Sequence, residues 1–104
     1  MNFFISTKAR VSSTSVVTDE VLIQNEAVVC QFARVCDNAI VNGASYVGGH
    51  AVISGNAEIH DYTRVDGNAH VGGTAWVYES TTLEGDVTIY SGWVKNVHWW
   101  RDVP

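Results

Sequence analysis

Three histidines spaced ten residues apart, His50, His60 and His70, stand with a fourth, His98, as the side chains best suited to hold a metal ion or move a proton. Carboxylates are the next candidates. Asp19 and Asp37 are eighteen residues apart, and Glu58, Asp61 and Asp66 cluster in sequence around Arg64. Paired carboxylates bind a hard cation such as calcium, or else form surface ion pairs worth a few tenths of a kcal/mol. Cys30 and Cys36 could cross-link or react as thiols. Nothing reads as a nucleophile triad, and Gly48-Gly49 and Gly72-Gly73 precede no helical pattern, so they read as corner glycines and not as a phosphate cradle. Thr18, Thr82 and Thr88 form no stacked ladder of the ice-binding kind. What these residues can do depends on which of them the chain brings to one face.

The elements follow from a six-residue rule. Aliphatic residues recur without a slip at Ile5, Val11, Val17, Ile23, Val29, Val35, Val41, Val47, Ile53, Ile59, Val65, Val71, Val77, Leu83 and Ile89. Four residues after each stands a small or β-branched one, from Ala9 and Ser15 through Val87, failing at Trp93. Side chains alternate across a strand, so both positions face inward only if a turn lies between them. Each hexapeptide is therefore one short strand and one corner, and three of them close a coil of about eighteen residues. The corner position carries Gly at 43, 49, 55, 67, 73 and 85, Asn at 25, and Asp at 19, 37 and 61, all residues that tolerate positive φ. The predicted architecture is all-β: a three-sided parallel solenoid of about five coils over residues 1–94, with a C-terminal tail, 95–104, that caps it.

This hexapeptide pattern over residues 5–94 resembles the left-handed parallel β-helix of the hexapeptide-repeat superfamily, and left-handedness is an implication of that resemblance alone. The triplets Gly55-Asn56-Ala57 and Gly67-Asn68-Ala69 are similar to those of a phage and prophage variety. The resemblance implies several roles. Acyltransferases of the superfamily use inserted loops and a histidine between subunits, and gamma-class carbonic anhydrases gather three histidines around zinc. No hexapeptide is interrupted here, and stacking on one face requires a separation of eighteen, whereas the histidines are ten apart. His50 falls at a corner and His60 and His70 on two different sides. Neither a catalytic residue, a metal nor a cofactor is expected within one chain; an intersubunit site using His60 or His70 is the alternative. Cys30 and Cys36 fall on different sides and are expected as free thiols, in keeping with a reducing compartment.

The charge balance is acidic, six Lys and Arg against eleven Asp and Glu for a net −5, which disfavours nucleic acid. No apolar run is long enough to span a membrane and Met1–Ile5 lacks the form of a signal peptide, so the cytoplasm, a host's if the gene is a phage's, is the expected location. Positions just before each aliphatic residue point outward. Sorted by side, one column reads Phe4, Leu22, Ile40, Glu58, Trp76, with Tyr78 further along; the others carry Arg10, Val28, Tyr46, Arg64, Thr82 and Val16, Arg34, Val52, His70, Thr88. The first is an apolar strip that a soluble protein covers with a partner or another copy of itself, as dimer or trimer. In the tail, Trp93, Trp99, Trp100 and Arg101 either cap the open end or form an interface hot spot. The expected function is a non-enzymatic binding or assembly protein, such as a phage-encoded inhibitor of a host defence complex; a minimal acyltransferase and a phage-particle component are the alternatives.

Overall fold

In a computed structural model that describes residues 4–18, 20–96, 98 and 99, nearly every hexapeptide becomes a two-residue strand followed by a corner. The first sheet stacks β1 (Phe4–Ile5), β4 (Leu22–Ile23), β7 (Ile40–Val41), β10 (Glu58–Ile59), β13 (Trp76–Tyr78) and β16 (Trp93–Lys95). The second stacks β2 (Arg10–Val11), β5 (Val28–Val29), β8 (Tyr46–Val47), β11 (Arg64–Val65), β14 (Thr82–Leu83) and β17 (His98–Trp99). The third stacks β3 (Val16–Val17), β6 (Arg34–Val35), β9 (Val52–Ile53), β12 (His70–Val71) and β15 (Thr88–Ile89). All pairings are parallel between successive coils. The molecule is an all-β, three-sided parallel solenoid of about five turns.

The core is one continuous column. From Val21 to Leu83 the inward aliphatic residues are fully buried, and Ala27, Ala33, Ala39, Ala51, Ala57, Ala69 and Ala75 fill the narrow interior beside the corners. Ser45, Thr63 and Thr81 hold equivalent sites although their hydroxyls are polar. Each hydroxyl donates to the carbonyl three residues earlier, on Asn42, His60 and Tyr78 respectively, which removes the burial cost. Among the described residues no buried side-chain nitrogen or oxygen lacks a partner.

Positive φ recurs every six residues from Asn25 to Gly85. Nine of these corners were expected on residue type; Gln31 (φ 58°) and Glu79 (φ 64°) were not. Stacking dictates the conformation there, because every corner must superpose on the one below. The corner NH then finds a side-chain acceptor where one exists. Asn25 Oδ1 accepts from Gly43 N, Gln31 Oε1 from Gly49 N at 2.6 Å, Asp37 Oδ2 from Gly55 N at 2.9 Å, and Asp61 Oδ2 from Glu79 N at 3.0 Å. Asp19, expected to face Asp37, lies outside the described residues. The paired glycines divide their roles. Gly49 and Gly73 are left-handed corners, whereas a Cβ on Gly48 would stand 2.8 Å from the Tyr46 ring and one on Gly72 2.8 Å from Ser54 Oγ, with the Tyr90 ring at 3.2 Å. Gly48 and Gly72 thus make room for side chains lying across the sheets.

The six-residue rule lapses after Ile89, yet winding continues. Successive coils pair at a separation of eighteen up to β15, but Trp76 pairs with Trp93 and Thr82 with His98. One residue is dropped at each of the last two corners. Val94 therefore takes the inward place above Val77, at 8% exposure, and Lys95 faces out. The boundary expected between residues 94 and 95 falls inside β16.

Candidate functional site

Register on the first sheet decides which outward residues meet. Phe4 pairs with Leu22, Leu22 with Ile40, Ile40 with Glu58, Glu58 with Trp76 and Trp76 with Trp93. The expected strip of Phe4, Leu22, Ile40, Trp76 and Tyr78 is on one face, with Glu58 dividing an aliphatic part from an aromatic part. Phe4 is 54% exposed, Trp76 41% and Trp93 75%, while Leu22 and Ile40 are half-buried. The Trp76 and Trp93 rings stack at 6.0 Å and 26°. Trp93 thus lies on this face and extends its aromatic ladder. Spacing hid it, because the one-residue slip removes it from the period; the Gly92-Trp93-Val94 run, with an aliphatic residue one place early, was the available signal. Of the other cap residues, Trp99 belongs to β17 and Trp100 and Arg101 lie outside the described residues.

Positions i and i+2 of a strand share a face, so the residues after each inward aliphatic form a parallel column. On the first sheet this column brings Asn42, His60 and Tyr78 beside Ile40, Glu58 and Trp76. His60 Nε2 lies 2.7 Å from Glu58 Oε1 and its Nδ1 2.7 Å from Asn42 Oδ1. The same ring meets Trp76 at 5.8 Å with a 57° tilt. Two acceptors on the two nitrogens suit the doubly protonated ring, and turning the Asn42 amide suits the neutral one. In either state both nitrogens are taken, so His60 as placed offers no free base to a substrate. Glu58, His60, Asp61, Trp76, Tyr78 and Trp93 line a groove of about 340 Å³ at this point. A second hollow of about 520 Å³ around Asn25, Asn42, Gly43, Asp61 and Tyr62 adjoins it at the corner and includes Lys8 and Glu26.

The remaining histidines are dispersed. His50 stacks on Phe32 at 5.1 Å, His70 meets Tyr90 edge-on at 5.3 Å with Ser54 Oγ 3.4 Å from its Nε2, and His98 lies 3.9 Å from Glu84. Among the described residues no three His, Cys, Asp or Glu side chains converge on a point that could hold a metal ion. Cys30 and Cys36 follow strands of the second and third sheets and are not joined in a disulfide.

On the second sheet the chain makes one aromatic and ionic cluster of its own. The Arg64 guanidinium sits 4.7 Å from the Tyr46 ring centre and donates to Asp66 Oδ2 at 3.2 Å. Tyr46 also hydrogen-bonds with Cys30, 3.2 Å away. That hydrogen bond, then burial and then the charges of Cys30 and Asp66, pushes the Tyr46 hydroxyl above its ordinary value, with Arg64 opposing. Comparison with protein-family models, with curated proteins and with solved structures found no match to the chain.

Proposed function

We propose that this protein is a non-enzymatic binding and assembly module whose first sheet is its contact surface. The observation that carries this reading is the run Phe4, Leu22, Ile40 in direct register, continued past Glu58 by the Trp76–Trp93 stack, on a rigid sheet without inserted loops. Monomers rarely leave a contiguous apolar strip in water, and Trp is enriched where interfaces are strongest. The partner is a protein, with self-association as dimer or trimer through the same strip. The hexapeptide rule and the Gly-Asn-Ala triplets support placing the chain among phage and prophage members of the hexapeptide-repeat superfamily, where blocking a host complex is a natural use of a small acidic prism. The test is the double change Leu22→Lys and Ile40→Lys. Molar mass by light scattering is expected to fall to 11.4 kDa and partner capture to disappear, with unfolding midpoints little changed. Association and capture that both survive the double change would overturn the assignment of this face.

A further inference from the structure

The groove beside Glu58 has the composition of a site the chain fills for itself elsewhere. On the second sheet a guanidinium, Arg64, lies over an aromatic face, Tyr46, and is held by a carboxylate, Asp66. On the first sheet the same ingredients converge without a guanidinium, the His60 ring taking one oxygen of the carboxylate. Trp76, Tyr78 and Trp93 wall the groove, and Glu58 and Asp61 border it. Glu58 spends Oε1 on His60 and Asp61 spends Oδ2 on the Glu79 NH, so each carboxylate keeps an oxygen with no further partner among the described residues. Lys95, opposite Tyr78 in the register, makes no ring contact among the described residues. We propose that this groove is a receptor site for a guanidinium group, an arginine side chain brought by the partner protein. The inference rests on reading the first sheet as a protein-contact face, and it names what the partner inserts there.

Three properties favour guanidinium. Its planar fork stacks on an aromatic face while its N–H groups reach carboxylates to the side, whereas an ammonium is a strongly hydrated point charge. The net charge of −5 draws a cationic partner, and the aliphatic strip beside the groove would seat the apolar residues flanking such an arginine. The groove, about 340 Å³, accommodates one side chain and not a folded element.

The experiment is a titration of the full chain with N-acetyl-arginine amide and with its neutral isostere N-acetyl-citrulline amide, read on the tryptophan indole N–H signals by NMR. Signals of Trp76 and Trp93, assigned by Trp76→Phe and Trp93→Phe, are expected to move with the arginine probe and not with citrulline. Glu58→Gln and Asp61→Asn are each expected to weaken binding roughly three- to fivefold, in line with exposed cation–π and ion-pair contacts. Lys95→Gln is expected to strengthen it by removing a like charge. Equal response to citrulline, or arginine binding unchanged in the Glu58→Gln and Asp61→Asn double variant, would overturn the proposal. The Leu22→Lys and Ile40→Lys protein separates the two readings: a silent arginine titration with association lost on that change sinks the guanidinium site alone, and arginine binding with association intact sinks the contact strip alone.

Discussion

Gly43 and Gln31 occupy equivalent corners, yet they answer substitution in opposite ways. A Cβ on Gly43 would stand 2.6 Å from Asp61 N in the coil above, at φ +73°. Gly43→Ala therefore combines a left-handed alanine with a backbone collision, and a loss of about 2–4 kcal/mol in urea unfolding is expected. Gln31→Gly relieves about 1 kcal/mol of left-handed strain but gives up the bond to Gly49 N, so the expected change is near zero. A Gly43→Ala protein as stable as the parent would show that the coils part more readily than their packing indicates. Tyr46 makes a different claim at the same scale. Its hydroxyl titrates above the ordinary 10.0 chiefly through Cys30, so Cys30→Ala should bring the tyrosinate absorbance transition back down. The folded chain holds that proton more tightly than the unfolded one. The associated stability is complete below the unfolded value and is lost as pH rises through the folded value. Glycine and Asx corners were legible in the sequence because their chemistry permits positive φ. Gln31 and Glu79 were not, because stacking imposes the conformation and their own preference does not. Gly48 and Gly72 misled for a related reason: an empty Cβ serves a neighbouring side chain as readily as a turn.

Fifteen strands and their three sheets could be read from a single period, since an aliphatic residue every sixth place has one way to reach a common core. The last two strands could not. Period alone puts Lys95 inward after Ile89, whereas shortened corners bring Val94 over Val77 and turn Lys95 out. A charged side chain cannot be buried in that column without several kcal/mol of desolvation, so dropping one residue at the corner is the cheaper solution. The two registers predict opposite mutational outcomes. Val94→Lys should cost about 2–4 kcal/mol and free the last coil, while Lys95→Ala should be neutral within about 0.5 kcal/mol. Hydrogen exchange of the Trp93 and Val94 amides reads this locally, and protection kept in Val94→Lys but raised in Lys95→Ala would restore the uninterrupted period. The groove was illegible for the same reason: Trp93 enters it only through the slip, and Glu58 and His60 join only once i and i+2 are seen as neighbouring columns on one face.

At the scale of the molecule, each coil touches only the coils above and below, so stability is a sum over layers and no single layer is indispensable. Excising residues 24–41 joins Ile23 to Asn42, which stands at the place Gln24 held, and every later inward residue keeps its side. That shortened chain should fold with one turn fewer, and its urea m-value should fall by roughly one-sixth, following the surface removed. It also loses Ile40 while leaving Glu58, His60, Trp76 and Trp93 in their mutual arrangement, so arginine-probe binding at the groove should persist although the aliphatic strip is shorter. Excising residues 24–44 instead advances the chain by half a hexapeptide beyond a full coil. Tyr46 would then take the corner place of Asn25 and Val47 the exposed place of Glu26, and the later aliphatic series would face solvent until the register recovered. The expected result is a poorly cooperative or aggregating chain. Equal stability of the two excisions would mean that the corners, and not the inward column, hold the register, and that the period-six pattern is a consequence of the fold more than its cause.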